Sequence, residues 1–167
     1  MSARPSIIHG GCLCEAIRYE VNFPADFDFS KSCSTCQCTQ CRKNTGSLVF
    51  RVQTVPLSSV TFTPPLEDTR ASPLKKYYAT PGIARAFCGD CGSFLFWRRE
   101  SGDRVELLVG GFDEDDLHKY GEVLTTAKQH LYCEREIKGV TDHLKGVRYR
   151  IEPDVGVELM PDSVEPA

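Results

Sequence analysis

The sequence has no apolar run approaching the roughly 18 residues of a membrane-spanning helix. Its opening, Met1 to Gly10, lacks an apolar run long enough for a secretory signal. It also lacks an excess of either charge. Twenty Lys and Arg stand against twenty-three Asp and Glu, a formal net charge of −3. A mildly acidic chain has no electrostatic footprint for general binding to nucleic acid or an acidic membrane. No internal repeat and no domain boundary is visible. There is no glycine-punctuated loop of oxygen ligands for a hard cation, so Asp113-Glu114-Asp115-Asp116 reads as the solvated first turn of a helix. These absences lead to the expectation of a cytoplasmic protein with one domain, residues 1–151, large enough to bury a core without cross-links. Residues 152–167 hold three prolines and an excess of acid, and read as a loosely attached tail.

Cysteine is what the chain has in quantity. There are nine, at 12, 14, 33, 36, 38, 41, 88, 91 and 133. An odd number excludes a complete internal disulfide framework, and a reducing compartment disfavours stable disulfides. The spacing is Cys12-Leu13-Cys14, then Cys33-Ser34-Thr35-Cys36-Gln37-Cys38-Thr39-Gln40-Cys41, then Cys88-Gly89-Asp90-Cys91. Close pairs suit a tetrahedral ion, because a short turn aims two thiolates at one point. Glycines flank the clusters and permit the tight backbone this needs. A thioredoxin-type redox pair at Cys88 and Cys91 would follow a strand and open a helix. Here Ser93 to Trp97 follows and reads as a strand.

Alternating apolar residues predict further strands over 16–21, 47–52, 74–78, 83–87 and 105–109. The segments between them carry Pro, Gly, Ser and Asp. One short helix is expected at 39–45 and another near 113–120. The chain therefore reads as mostly β with few short helices.

Six or more thiolates are too many for one ion, so the cysteines divide. The simplest division puts Cys12, Cys14, Cys88 and Cys91 on one zinc, a closed shell that staples two β segments. Cys36, Cys38 and Cys41 put three sulfurs on one side of a second ion. Three protein ligands leave a position free for substrate, as in catalytic zinc sites. Cys33 has ordinary C-x-x-C spacing to Cys36, and spacing alone leaves open whether it closes that shell.

Three segments together resemble the glutathione-dependent formaldehyde-activating enzyme family, which includes the centromere protein V domain. They are Gly10-Gly11-Cys12-Leu13-Cys14, Cys36-Gln37-Cys38-Thr39-Gln40-Cys41-Arg42-Lys43 and Phe87-Cys88-Gly89-Asp90-Cys91-Gly92-Ser93, in the family's order. The likeness runs from about residue 10 to 109 and more weakly to about 149. The resemblance implies a β-tent of several small antiparallel sheets around zinc. It implies structural ligands Cys12, Cys14, Cys88 and Cys91 and catalytic ligands Cys36, Cys38 and Cys41, with Cys33 outside the usual set. It implies two zinc ions per chain and glutathione as co-substrate; an open site loses metal more readily than a closed one, so the second zinc is expected to be in part occupied. The implied reaction is carbon–sulfur lyase chemistry: glutathione and formaldehyde combine to S-(hydroxymethyl)glutathione, or the adduct is cleaved. The partners implied are a small-molecule thiol and an electrophile. Arg42 and Lys43 follow Cys41 and are candidates for glutathione contacts, with a solvated surface role as the alternative. Gln129 to Cys133 is a looser version of a family segment. His130 is either a pocket wall or a hydrogen-bonded structural histidine, and Cys133 reads as a buried thiol. Phe94, Phe96 and Trp97 read as strand core rather than a substrate platform. Two other function classes remain beside the lyase: a glutathione-adduct carrier and a zinc-stabilised protein-interaction module.

Overall fold

The computed structural model describes residues 4–68, 72–153, 158–161 and 163. Period-two burial builds its strands. In β1 (Ile7–Gly11) and β2 (Arg18–Asn22) alternate side chains are buried, among them Ile8, Tyr19 and Val21. These two pair antiparallel, and β2 pairs on its other side with β5 (Val60–Thr63). The result is a three-stranded sheet.

The second sheet has eight strands. From one edge they are β11 (Val147–Arg148), β10 (Gln129–Leu131), β3 (Cys33–Cys36), β4 (Phe50–Pro56), β9 (Arg104–Leu108), β8 (Phe94–Arg99), β7 (Ile83–Cys88) and β6 (Leu74–Thr80). The expectation of a mostly β chain with few short helices holds. The strands fall into more than one sheet, as expected. One sheet is large, and β10 runs parallel to both β3 and β11. The reason lies in the chain path: β10 returns to the β3 edge after a helix, a crossover that permits parallel pairing.

Three α-helices occur among the described residues: α1 (Phe29–Ser32), α2 (Thr39–Thr45) and α3 (Glu114–Thr125). The helix expected at 39–45 has those limits. The acidic run opens α3 as expected, but the helix continues five residues past 120 because Leu124 is fully buried. No described helix is long and apolar enough to cross a membrane.

The main core lies between the three-stranded sheet and one face of the large sheet. Phe62 of β5 meets Phe96 of β8 at 5.4 Å between ring centroids, and Ile8, Val21, Val55 and Leu107 close around them. Phe23, Phe27 and Phe29 stack at its side, 4.8–4.9 Å apart. The opposite face of the large sheet carries a smaller apolar cluster, Cys36, Cys41, Phe50 and Val52 with Trp97, Leu108 and Leu131 against it.

The expected loose tail is held where it is described. Arg150 N–H donates to Glu158 O at 2.7 Å, Met160 N–H to Arg148 O at 2.9 Å and Arg148 N–H to Ser163 Oγ at 2.8 Å. Residues 154–157, 162 and 164–167 of that tail lie outside the described residues.

Candidate metal centres and the adjoining cavity

Two turns build the first centre. After β1 the chain reverses, with Cys12 N–H donating to Ile17 O at 2.9 Å and Glu15 N–H to Cys12 O at 3.0 Å. Gly11 permits this closure, since a Cβ there would lie 2.4 Å from Ile17 O. The second turn joins β7 to β8. Cys88 N–H donates to Ser93 O and Gly92 N–H to Cys88 O, each at 2.9 Å. Gly92 sits at φ +77°, left-handed space that suits glycine.

The turns face each other. The sulfurs of Cys12, Cys14, Cys88 and Cys91 all lie within 4.8 Å of one another. Cys12 Sγ is 3.6 Å from Cys14 Sγ, which is 3.7 Å from Cys88 Sγ. Four thiolates at the zinc–sulfur distance of about 2.3 Å would sit about 3.8 Å apart at the corners of a tetrahedron. The residues present therefore fit zinc. Backbone and hydroxyl donors already aim at sulfur. Ile17 N–H donates to Cys12 Sγ at 3.3 Å. The Ser93 hydroxyl first, then the backbone N–H groups of Ser93 and Cys14, pull the Cys91 thiol down to about 5.

The second centre is built at the junction of β3 and α2. Cys36 ends the strand, Cys38 caps the helix with its sulfur accepting from Cys41 N–H at 3.3 Å, and Cys41 lies in the first turn. Cys38 N–H donates to Cys36 Sγ at 3.4 Å. Gln37, between the first two cysteines, turns away and is fully buried, its Oε1 accepting from Thr141 Oγ1 at 2.6 Å and Arg42 Nη2 at 3.0 Å. That anchorage leaves the three sulfurs together, within 4.8 Å of one another. Hydrogen bonds from Cys36 and then Cys41 pull the Cys38 thiol far down; the contact with Cys38 pushes Cys36 up, and contacts with Cys36 and then Cys38 push Cys41 up. A thiophilic divalent cation held by Cys36, Cys38 and Cys41 would let all three sulfurs carry charge. A donor set of sulfur alone fits zinc.

Cys33 is not in this group. It is buried on the other face of β3, and burial pushes its thiol up to about 11. His130 has both ring nitrogens engaged, Nδ1 with Thr35 Oγ1 at 2.8 Å and Nε2 with Lys145 O at 3.0 Å. It is a buried structural histidine rather than a pocket wall, and burial lowers its proton affinity. Cys133 is fully buried, its sulfur 3.5 Å from His130 O.

A cavity of about 510 Å³ opens beside the three-cysteine centre, within the size range of small-molecule sites. Its floor is the cavity face of the large sheet: Ser34 and Cys36 of β3, Phe50, Val52 and Thr54 of β4, Glu106 of β9, Trp97 and Arg99 of β8, Ile83 and Arg85 of β7. Lys31, Arg104, Tyr132 and Glu152 complete the rim. Arg42 and Lys43 do not line it. The Arg42 guanidinium instead ties α2 to Gln37, to Leu48 O at 3.1 Å and to Arg135 O at 2.5 Å, and Lys43 is exposed. Trp97 packs against the smaller apolar cluster and also lines the cavity, while Phe96 is in the main core. Sequence reasoning did not single out Arg85, Glu106 or Gln40. The strand alternation over 83–87 was legible and would have placed Arg85 on the same face as Ile83.

A mostly β chain carrying one four-cysteine and one three-cysteine cluster, each able to hold a metal ion, defines a class of cysteine-rich β proteins. Within that class the match is specific. The family model described as glutathione-dependent formaldehyde-activating enzyme matches residues 7–135, and the chain belongs to that family. No curated protein matches the sequence. Among solved structures, a Rhodobacter sphaeroides protein is similar at 25% identity over 66% of this chain and 94% of that one, with a TM-score of 0.45.

Proposed function

We propose that the chain is a zinc-dependent carbon–sulfur lyase acting on a glutathione adduct, with S-(hydroxymethyl)glutathione formed from glutathione and formaldehyde as the reference reaction. The observation that carries this reading is the three-sulfur cluster at the wall of a cavity of about 510 Å³. Cys36, Cys38 and Cys41 would hold the zinc. When bound, the ion keeps a substrate thiol deprotonated at neutral pH, as coordinated thiols are. In the addition the substrate sulfur bonds to the carbonyl carbon, the carbonyl π pair moves to oxygen, and that oxygen takes a proton. The reverse breaks the carbon–sulfur bond and releases the aldehyde. The chain's part is to bind and orient. Arg85, Arg99, Arg104 and Lys31 offer cations to the carboxylates of a thiol such as glutathione, and Trp97, Phe50 and Val52 supply an apolar floor. Glu106, pushed up to about 7 first by burial and then by Glu152, holds a proton near neutral pH within the same cavity.

Cys12, Cys14, Cys88 and Cys91 would hold a second, structural zinc. The domain proposed spans residues 1–151. The test is the rate of adduct formation from glutathione and a panel of aldehydes, read by NMR against the uncatalysed rate. Acceleration with one of them supports the lyase. Tight glutathione binding without acceleration supports the carrier reading instead. A middle shell filled by Cys33 would favour the interaction-module reading, and Cys33 lies on the opposite face of its strand from Cys36.

A further inference from the structure

The cavity holds a buried cation whose hydrogen-bonding capacity is only partly used. Arg85 is 5% exposed. Its Nη2 donates to Gln40 Oε1, and its Nε and Nη1 are buried without an acceptor among the described residues. A guanidinium cannot shed its charge, so buried N–H groups without acceptors are a standing cost that an anion relieves. The neighbours across the sheet are not that anion. Arg85 pairs with Trp97 on one side and Tyr77 on the other. The acids of the cavity are Glu106 and Glu152, and Glu106 lies one strand beyond Trp97, roughly 10 Å from Arg85 at the backbone. Gln40 precedes Cys41 in the same helical turn, so the residue that holds the guanidinium is one peptide away from a sulfur of the three-cysteine centre.

We infer that Arg85 is the anchor for a carboxylate of the thiol substrate, and that Gln40 is the positioning residue that fixes its distance from the metal centre. This rests on the reading that a substrate sulfur enters that centre. It narrows the substrate class to thiols that carry a carboxylate within the reach of one cavity. It also moves the anion contact from Arg42 and Lys43, which the sequence offered, to a strand residue that lines the cavity.

S-Methylglutathione and its dimethyl ester are suitable probes, because neither has a free thiol and their binding does not need the metal. Calorimetry on the wild-type protein should show the diacid binding about 10- to 100-fold more tightly than the diester, the range for hydrogen bonds to a charged group. Arg85→Gln should cut that preference at least 5-fold while the melting temperature and the metal content stay near wild type, Arg99, Arg104 and Lys31 supplying the remainder. Gln40 is exposed, so Gln40→Glu should fold. It places a carboxylate on the guanidinium, and should hold or raise the melting temperature while weakening diacid binding at least 5-fold. A merely structural Gln40 would not move the two readouts in opposite directions. No acid-over-ester preference in the wild type overturns the inference, as does a preference that neither substitution reduces. The function reading fails separately. If glutathione leaves the visible spectrum of the cobalt-loaded centre unchanged while the Arg85-dependent preference persists, the anchor stands and the thiol-ligation chemistry does not.

Discussion

Cys33 and Cys36 lie on one four-residue strand and face opposite sides of the large sheet. Cys33 pairs with Gln53 and Cys36 with Phe50 across β4. Gln53 is fully buried, its Nε2 2.5 Å from Ser32 Oγ, whereas Phe50 lines the cavity. An odd separation along a strand reverses the side-chain direction. A C-x-x-C pair in a turn converges on one ion, whereas the same spacing in extended backbone points its sulfurs apart.

Cys33→Ala should therefore leave the middle metal in place. Metal analysis should return the wild-type zinc count, and a chelator should strip the middle ion at the wild-type rate. The lost buried thiol should lower stability by about 1 kcal/mol, the usual scale for a small core truncation. Loss of one zinc equivalent would place Cys33 in the coordination shell.

Cys88→Ser should be far more damaging. Cys88 is fully buried, and its sulfur joins the turn after β1 to the turn after β7. Binding a structural zinc contributes on the order of 10 kcal/mol, comparable to the whole stability of an ordinary domain. Insoluble protein, or a loss of cooperative melting, is the expected result. A soluble variant that melts with the wild type would contradict a structural role.

Cys38→Ser should separate metal from fold. Cys38 is half-buried at the cavity wall and caps a seven-residue helix. Serine retains the cap, since its oxygen also accepts from the Cys41 N–H. The variant should fold, lose one zinc equivalent and show no adduct formation above background. Unfolding as severe as that of Cys88→Ser would mean that both centres are structural.

How much of this was legible in the sequence differs from residue to residue. The two clusters were legible because sulfur spacing in a glycine turn is local information. The helix at 39–45 was legible for the same reason, with Cys38 as its cap and Gly46 beyond its end. The faces of β3 were not, because a four-residue strand inside a cysteine run shows no hydrophobic alternation. The assignment of Arg42 to substrate followed proximity in sequence to Cys41. In the fold its guanidinium turns back to Gln37 and to Arg135 O, a residue 93 positions away. Arg85 and Glu106 reach the cavity by strand pairing across the large sheet, a long-range register that no local pattern encodes.

Glu106 supplies a pH-dependent prediction. Its cross-strand neighbours are Thr54 and Trp97, neither of which offers a positive charge. Burial, and then the charge of Glu152, push its carboxyl up to about 7. In the unfolded chain it ionises near its ordinary value of about 4.3. Between those values the folded protein holds a proton that the unfolded chain has released. Stability therefore falls as pH rises through that window, and the penalty is constant once both states are ionised. At 1.36 kcal/mol per pKa unit the full penalty is up to roughly 4 kcal/mol, reduced by whatever water the cavity admits. Glu106→Gln keeps the shape and removes the titration. The difference in urea stability between the variant and the wild type should move in the variant's favour by roughly 2 kcal/mol between pH 5 and pH 8. Thiolate and metal titration in the same range affects both proteins and drops out of the difference. Glu152→Gln should reproduce a smaller part of the gain, since it removes only the second cause. A stability difference between wild type and Glu106→Gln that stays flat from pH 5 to pH 8 would show that the carboxyl is already ionised in the folded protein.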